Sequence, residues 1–105
     1  MDMEKMIKDC KKKRREGESI VFAIGAGRIY PIFGKKKAMK QAFEFIRNLD
    51  GFIGVHPIEL WKTLLIFDSL NHAKSGRNQM IEKGIQVGQI VPILVPTTDL
   101  KGGKL

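Results

Sequence analysis

Apolar residues recur every three or four positions in three parts of the chain, and this spacing predicts three helices. The predicted helices cover residues 1–17, 35–49 and 69–84. The apolar face of the first helix is narrow and consists of Met3, Met6, Ile7 and Cys10. The face of the third consists of small residues and one methionine, Ala73, Gly76 and Met80.

The ends of these helices are marked by residues that commonly cap helices. Gly17 is expected to end the first helix, since the residues beyond it are no longer helical in pattern. Ser69 or Asn71 can cap the start of the third helix, because both side chains accept hydrogen bonds from backbone N–H groups. Gly84 is placed to end that helix in a left-handed conformation.

Runs of β-branched and aromatic residues between the helices predict four strands. The strands are expected at residues 19–24, 52–56, 60–67 and 90–95. Gly25, Ala26 and Gly27 are expected to form a turn after the first strand, and Pro57 to interrupt the chain between the second and third. Residues 28–33 either form a hairpin partner for the first strand or lead into the next helix.

The predicted order of elements is helix, strand, helix, strand, strand, helix, strand. Without its first helix this is the βαββαβ order of ferredoxin-like domains, in which two helices pack on one face of a four-stranded antiparallel sheet. We therefore expect an α+β protein with a basic helix over residues 1–17, a ferredoxin-like domain over residues 18–98 and a flexible tail over residues 99–105. A winged helix is the alternative, because residues 28–33 are ambiguous.

The second half of the chain carries a recognisable packing and turn pattern. Its members are Leu65, Phe67, Asp68, Ser69, Ala73, Asn78, Met80, Gly84, Ile85, Val87, Gly88 and Ile93. With this pattern, residues 64–95 resemble the second half of an RNA-recognition domain of the ferredoxin-like type. In that family, bases stack on two aromatic residues of the third strand. The chain departs from the family here, since those positions hold Lys62 and Leu64; Phe22 on the first strand and the neighbouring Trp61 are the candidate aromatics.

Charge narrows the class of partner. The chain has 105 residues, enough for one domain, and its 19 Lys and Arg against 11 Asp and Glu leave a net charge of +8. Anionic partners are therefore expected. The single cysteine cannot form an internal disulfide, the N-terminus lacks the apolar core of a signal peptide, and no apolar run is long enough to span a membrane. These features predict a cytoplasmic protein without a membrane span.

Three groups of polar residues are candidate nucleic-acid contacts. The first is the run of five consecutive cations Lys11, Lys12, Lys13, Arg14 and Arg15. The second lies at the start of the predicted second helix and consists of Lys35, Lys36, Lys37 and Lys40. The third lies on the outer face of the predicted third helix and consists of Lys74, Ser75, Arg77, Asn78 and Gln79.

Each group has a chemical rationale and an ordinary alternative. A phosphate would relieve the unfavourable placement of lysines at a helix N-terminus, and Arg, Asn and Gln pair with base edges in the major groove. The five-cation run can contact phosphates, act as a mobile arm or maintain solubility. The alternative for the two helical groups is a solvated polar face, which most exposed helices have.

No catalytic site, metal site or cofactor is predicted. His56 and His72 are far apart in the sequence, and neither is paired with Cys10 or with a nearby carboxylate in the spacing of a metal site. Asp68 sits where a strand meets a helix, a position at which aspartate usually caps or turns the chain. Gly25 and Gly27 begin like a dinucleotide-binding loop, but the third glycine is replaced by Tyr30.

These observations predict a non-enzymatic nucleic-acid-binding protein that prefers duplex DNA to RNA, because helix donors are present and sheet aromatics are missing. Two alternatives stay open. One is an assembly module whose N-terminal Met/Ile helix docks on a partner, including a second copy in a homodimer. The other is a regulatory domain that binds a small ligand.

Overall fold

The structure, a computed structural model, describes residues 2–26, 43–59, 62–85 and 87–98. These form the helices α1 (Met3–Lys13) and α2 (Leu70–Glu82) and the strands β1 (Glu18–Ala26), β2 (Phe52–Glu59), β3 (Lys62–Phe67) and β4 (Val87–Pro96). Residues 43–47 are helical as well. The predicted α+β class with an antiparallel sheet is confirmed. Residues 28–33, Trp61 and the predicted tail over residues 99–105 lie outside the described part.

The four strands form one sheet in the order β2-β3-β1-β4, and every neighbouring pair is antiparallel. The two central strands, β1 and β3, are paired on both sides. Phe22 of β1 lies opposite Phe67 of β3 and opposite Pro92 of β4. Because directly opposite residues share a sheet face, this row places Phe22 and Phe67 on the same side.

That side is covered by the helices. Ile46, from the helical residues 43–47, and Ala73 and Met80 of α2 are buried in one cluster with Phe22 and Phe67. Residues 43–47 and α2 therefore pack on the same sheet face. Residues 35–42 of the predicted second helix lie outside the described part. Leu49 remains in this core although the helix predicted to reach it ends at residue 47. The chain must turn at Gly51, whose φ of 77° lies in the left-handed region.

The opposite sheet face is aliphatic. Val21, Ala23, Ile66 and Val95 form a second buried cluster, and Ile53, Leu64 and Ile93 pack against it. The assignment of Phe22 as a base-stacking aromatic is wrong, because its side chain points to the helical side and is 8% exposed. The alternation of side chains along a strand explains the error, since a shift of one residue exchanges the two faces.

Small residues let α2 lie close to the sheet. Ala73, Gly76 and Met80 form its buried face, as predicted. A Cβ added to Gly76 would lie 2.7 and 2.8 Å from two carbons of the fully buried Phe67 ring. The absence of a side chain at position 76 is therefore what permits this approach.

Both ends of α2 are capped at the residues that the sequence predicts. The Ser69 hydroxyl accepts a hydrogen bond from the His72 amide at 3.2 Å. At the other end, the amides of Gly84 and Ile85 donate to the carbonyls of Ile81 and Met80. With a φ of 82° at Gly84, these two bonds form a Schellman motif, and the buried Ile85 anchors it.

The first helix packs on its own domain. Met3 and Ile7 contact the core cluster on the helical side of the sheet, and the Cys10 thiol lies 3.6 Å from the Pro92 carbonyl oxygen of β4. The helix ends at Lys13, since Arg14 is already extended. The prediction of a helix up to Gly17 is therefore wrong, and Gly17 instead forms the turn into β1 with a φ of 85°.

Two predicted breaks in the strands are also wrong. Gly25 and Ala26 belong to β1 rather than to a turn, because β3 pairs with both of them. Gly27, the third residue of the predicted turn, lies outside the described residues. Pro57 lies within β2, an outer strand of the described sheet, where a missing N–H is tolerated. The pairing of β2 with β3 shifts its register between Pro57 and Glu59.

Neither α1, α2 nor the helical residues 43–47 combine the length and the apolar character that crossing a lipid bilayer requires.

We predict that Gly76→Ala lowers the free energy of unfolding by about 1–2 kcal/mol. The added methyl overlaps the Phe67 ring, which costs more than the gain in helix propensity. Urea denaturation followed by circular dichroism measures the change. Asn78→Ala, an exposed replacement two residues away, is the control and should leave stability unchanged or raise it. Equal stability of Gly76→Ala and the parent would contradict this packing.

Candidate nucleic-acid interface

The five-cation run forms the last turn of α1 and the two residues after it, at one end of the sheet. Lys11, Lys12 and Lys13 are the last residues of α1, and all five cations of the run are exposed. The Arg15 amide donates to the Glu18 carboxylate at 2.8 Å, and the Glu18 amide donates back to the Arg15 carbonyl at 3.1 Å. Where β1 begins, the Thr97 amide also bonds the Gly17 carbonyl at 2.8 Å. The run is thus attached to the sheet through both β1 and β4.

The outer side of α1 adds two lysines that the prediction missed. Lys5, Lys8 and Lys12 are spaced three and four residues apart, so they form one exposed row on the side of α1 that faces away from Met3 and Ile7. The spacing is visible in the sequence, but the consecutive cations drew the prediction to one end of the helix. The α1 basic surface is defined as Lys5, Lys8, Lys11, Lys12, Lys13, Arg14 and Arg15.

The charges of this surface are not balanced locally. Between Asp2 and Glu16 the chain has seven cations and four carboxylates. Within the described part of the chain, the one ion pair within 4 Å joins His72 to Asp68, and it involves no lysine or arginine. The ammonium and guanidinium groups of the α1 basic surface therefore have no described carboxylate within 4 Å to neutralise them.

The predicted donors of α2 do not all share one face. Lys74, Ser75, Asn78 and Gln79 are exposed, and Ala73, Gly76 and Met80 on the opposite side are buried. The Gln79 side-chain nitrogen lies 3.1 Å from the Ser75 hydroxyl, so these two side chains bind each other. Lys74 and Asn78 are four residues apart and form the outward row of the helix.

Arg77 lies on the flank of α2 that faces β4. Its Nε donates to the Gly88 carbonyl at 2.8 Å, and its side chain is half-buried. Successive helical residues are rotated by about 100°, so Arg77 and Gln79 stand about 160° apart around the helix axis. Arg77 and Gln79 therefore leave α2 on different sides and do not form one row of donors.

The remaining predicted contacts fall elsewhere. Lys35, Lys36, Lys37 and Lys40 lie outside the described residues. On the sheet face opposite the helices, Leu64 packs with aliphatic neighbours, and the described side chains of that face include no aromatic residue on which a base could stack.

A second polar cluster joins the end of β3 to the start of α2. The Nδ1 atom of His72 lies 2.7 Å from an Asp68 carboxylate oxygen, and both side chains are about half exposed, at 46% and 52%. The Asp68 amide donates to the Gly51 carbonyl at 2.9 Å. Among the described residues no third histidine, cysteine or carboxylate joins the pair to complete a metal site. The pair fastens the Gly51 turn to α2.

No protein-family model, curated protein or solved structure matches the chain.

We predict that Gly51→Ala destabilises the protein more than Gly17→Ala. Both glycines have positive φ angles, so both replacements cost about 1–2 kcal/mol in backbone strain. At Gly51 the new methyl would also overlap His72 and Asp68, whereas at Gly17 it would meet no atom within 4 Å. Urea unfolding midpoints of the two variants measure the difference. Equal losses would show that the Asp68–His72 pair does not pack on Gly51.

Proposed function

We propose that the chain is a non-enzymatic, cytoplasmic nucleic-acid-binding protein that holds duplex DNA in preference to RNA, chiefly through the α1 basic surface. The observation that carries the proposal is the arrangement of seven exposed cations on one docked helix and the turn after it, without described carboxylates within 4 Å. The polyanionic backbone of a nucleic acid is a suitable partner for such a surface, since each phosphate contact releases counterions.

The proposal includes a ferredoxin-like architecture for the domain. The strand order β2-β3-β1-β4 with antiparallel neighbours is the order that two interleaved βαβ units produce. The helical residues 43–47 lie between β1 and β2, and α2 lies between β3 and β4, as that arrangement requires. On this architecture α1 is an addition that packs beside α2, against β4.

The length of the α1 basic surface suits a nucleic-acid backbone. Lys5 and Lys12 are seven residues apart, which is about 10 Å along a helix. Along the axis of a duplex, the phosphates of each strand succeed one another every 3.4 Å, so the row of lysines can face more than one phosphate. Because phosphate contacts carry no base information, this part of the interface would bind any sequence.

Base recognition, in this proposal, falls to the outward row of α2. Lys74 and Asn78 are exposed there, and an asparagine can pair with adenine through two hydrogen bonds in a major groove. Further phosphate contacts would come from the lysines at the start of the predicted second helix, where a phosphate would relieve their unfavourable placement; these are Lys35, Lys36, Lys37 and Lys40. RNA is the less favoured ligand because sequence-specific RNA recognition relies on stacking, and the described sheet face opposite the helices is aliphatic.

The assembly alternative has less support. It requires the Met/Ile face of α1 to meet a partner, but Met3 and Ile7 already contact the core of their own domain. A homodimer that uses this face would first have to remove α1 from β4.

We predict that Lys8→Gln with Lys12→Gln weakens binding to two duplexes of unrelated sequence by the same factor. The slope of the logarithm of affinity against the logarithm of salt concentration should become shallower by about 2, since each lost phosphate contact contributes about 0.9. Fluorescence anisotropy at several salt concentrations gives both quantities.

The matched control replaces two other exposed cations, Arg47→Gln with Lys83→Gln, and so removes the same charge. Lys83 lies over the Phe45 ring, and neither Arg47 nor Lys83 belongs to the α1 basic surface. The control pair should change the slope by much less. Equal effects of the two pairs would show that α1 contributes only to the net charge of the protein. The absence of binding to duplex DNA, single-stranded DNA and RNA at low salt would overturn the proposed function.

We predict that Asn78→Ala costs about 1–3 kcal/mol on a preferred duplex obtained by selection, with little loss on a scrambled duplex. Ser75→Ala is the control, since Ser75 is bonded to Gln79 and lies beside the outward row. Paired titrations at one salt concentration test this. If Asn78→Ala changes both duplexes equally or neither, the outward row of α2 does not read bases.

A further inference from the structure

α1, α2 and β4 border an open cleft at the end of the sheet where β4 begins. Its volume is about 320 Å³, and its lining residues are Met3, Met6, Arg77, Gln89 and Ile90. This volume lies at the lower end of the range of about 300–1,000 Å³ for ligand pockets, so the cleft has room for a small ligand that stays partly exposed to solvent. It lies on the inner side of α1, apart from the lysine row on the outer side.

The walls of the cleft combine apolar and cationic groups. Met3, Met6 and Ile90 are half-buried, and the flexible thioethers of methionine adapt to apolar ligands of different shape. Arg77 supplies the charge on one side. A ligand that satisfies both features has an apolar part for the two methionines and an anionic group for the guanidinium.

The guanidinium of Arg77 is held in place by the rest of the fold. Its Nε donates to the Gly88 carbonyl at 2.8 Å, which holds the group beside β4. Arginine has five N–H donors, so this bond leaves the Nη groups, which bind carboxylates and phosphates in a forked geometry. No carboxylate among the described residues lies within 4 Å of the guanidinium.

We infer that this cleft is a binding site for a small amphipathic anion, with the carboxylate or phosphate head on Arg77 and the apolar tail between Met3, Met6 and Ile90. The net charge of +8 raises the local concentration of any such anion. The site uses none of the α1 basic surface, so it stands independently of nucleic-acid binding.

Methyl NMR of the full chain labelled at methionine tests the inference, because Met3 and Met6 report directly from the cleft. The probes are hexanoate, hexyl phosphate and the neutral hexanol. Both anions should shift the two methyl signals with saturation, and hexanol should bind at least tenfold more weakly. A clear preference for one anion identifies the head group.

Two variants test whether anion binding requires the positive charge of Arg77. Arg77→Met should weaken the binding of both anions at least tenfold and leave the binding of hexanol unchanged. Lys74→Met, which removes a charge from the outward row, should change the binding of neither the anions nor hexanol. Since Arg77→Met also removes the bond to Gly88, Gln89→Glu provides a second test. This replacement places a carboxylate on the exposed wall of the cleft. It should weaken the binding of the anions by a similar factor and leave the fold unchanged.

Three results would overturn the inference: equal shifts with hexanol and hexanoate, shifts that Arg77→Met and Gln89→Glu leave unchanged, or no saturable shift at Met3 and Met6. A duplex titration of the same samples keeps the two proposals apart. Loss of anion binding with intact duplex binding rejects the cleft alone, and the reverse rejects the proposed function alone.

Discussion

The contact between the Phe67 ring and Gly76 determines how the two layers of the protein meet. Phe67 is fully buried and lies edge-on to Phe52, with ring centres 5.6 Å apart and an angle of 73° between the planes. The ring is thus fixed from the β2 side, and α2 can rest on it only where it has no side chain. This contact sets the rotation of α2 about its axis, which brings Arg77 towards β4 and leaves Lys74 and Asn78 facing outward.

The parts of the fold that local chemistry controls could be predicted from the sequence. The small residues Ala73 and Gly76 identify the buried face of α2, and Ser69 and Gly84 identify its ends, because capping depends on neighbouring backbone groups alone. The parts that depend on pairing between distant strands could not. Gly25 favours a turn in isolation, but a strand forms there because β3 supplies partners, and the face on which Phe22 lies is set by register.

The residues of the candidate site also divide into those that local spacing predicts and those that depend on the tertiary fold. A row of lysines on α1 follows from helical spacing, so Lys5 and Lys8 could have been found from the sequence once Met3 and Ile7 were assigned to the inner side. The separation of Arg77 from Gln79 follows partly from helical rotation, but the bond from Arg77 to Gly88 requires that β4 pass beside α2. Only the tertiary fold brings Arg77 and Gly88 together.

The contact between α1 and Pro92 also bears on how the protein behaves at high concentration. β4 is an outer strand of the described sheet, and the outer strand of a sheet can recruit a strand from another molecule and so begin aggregation. At Pro92 there is no N–H to offer, and the carbonyl is occupied by the Cys10 thiol of the helix lying over it. The middle of β4 is thereby made a poor template for a foreign strand, so the helix proposed to carry the nucleic-acid-binding charge also helps to keep the molecules separate.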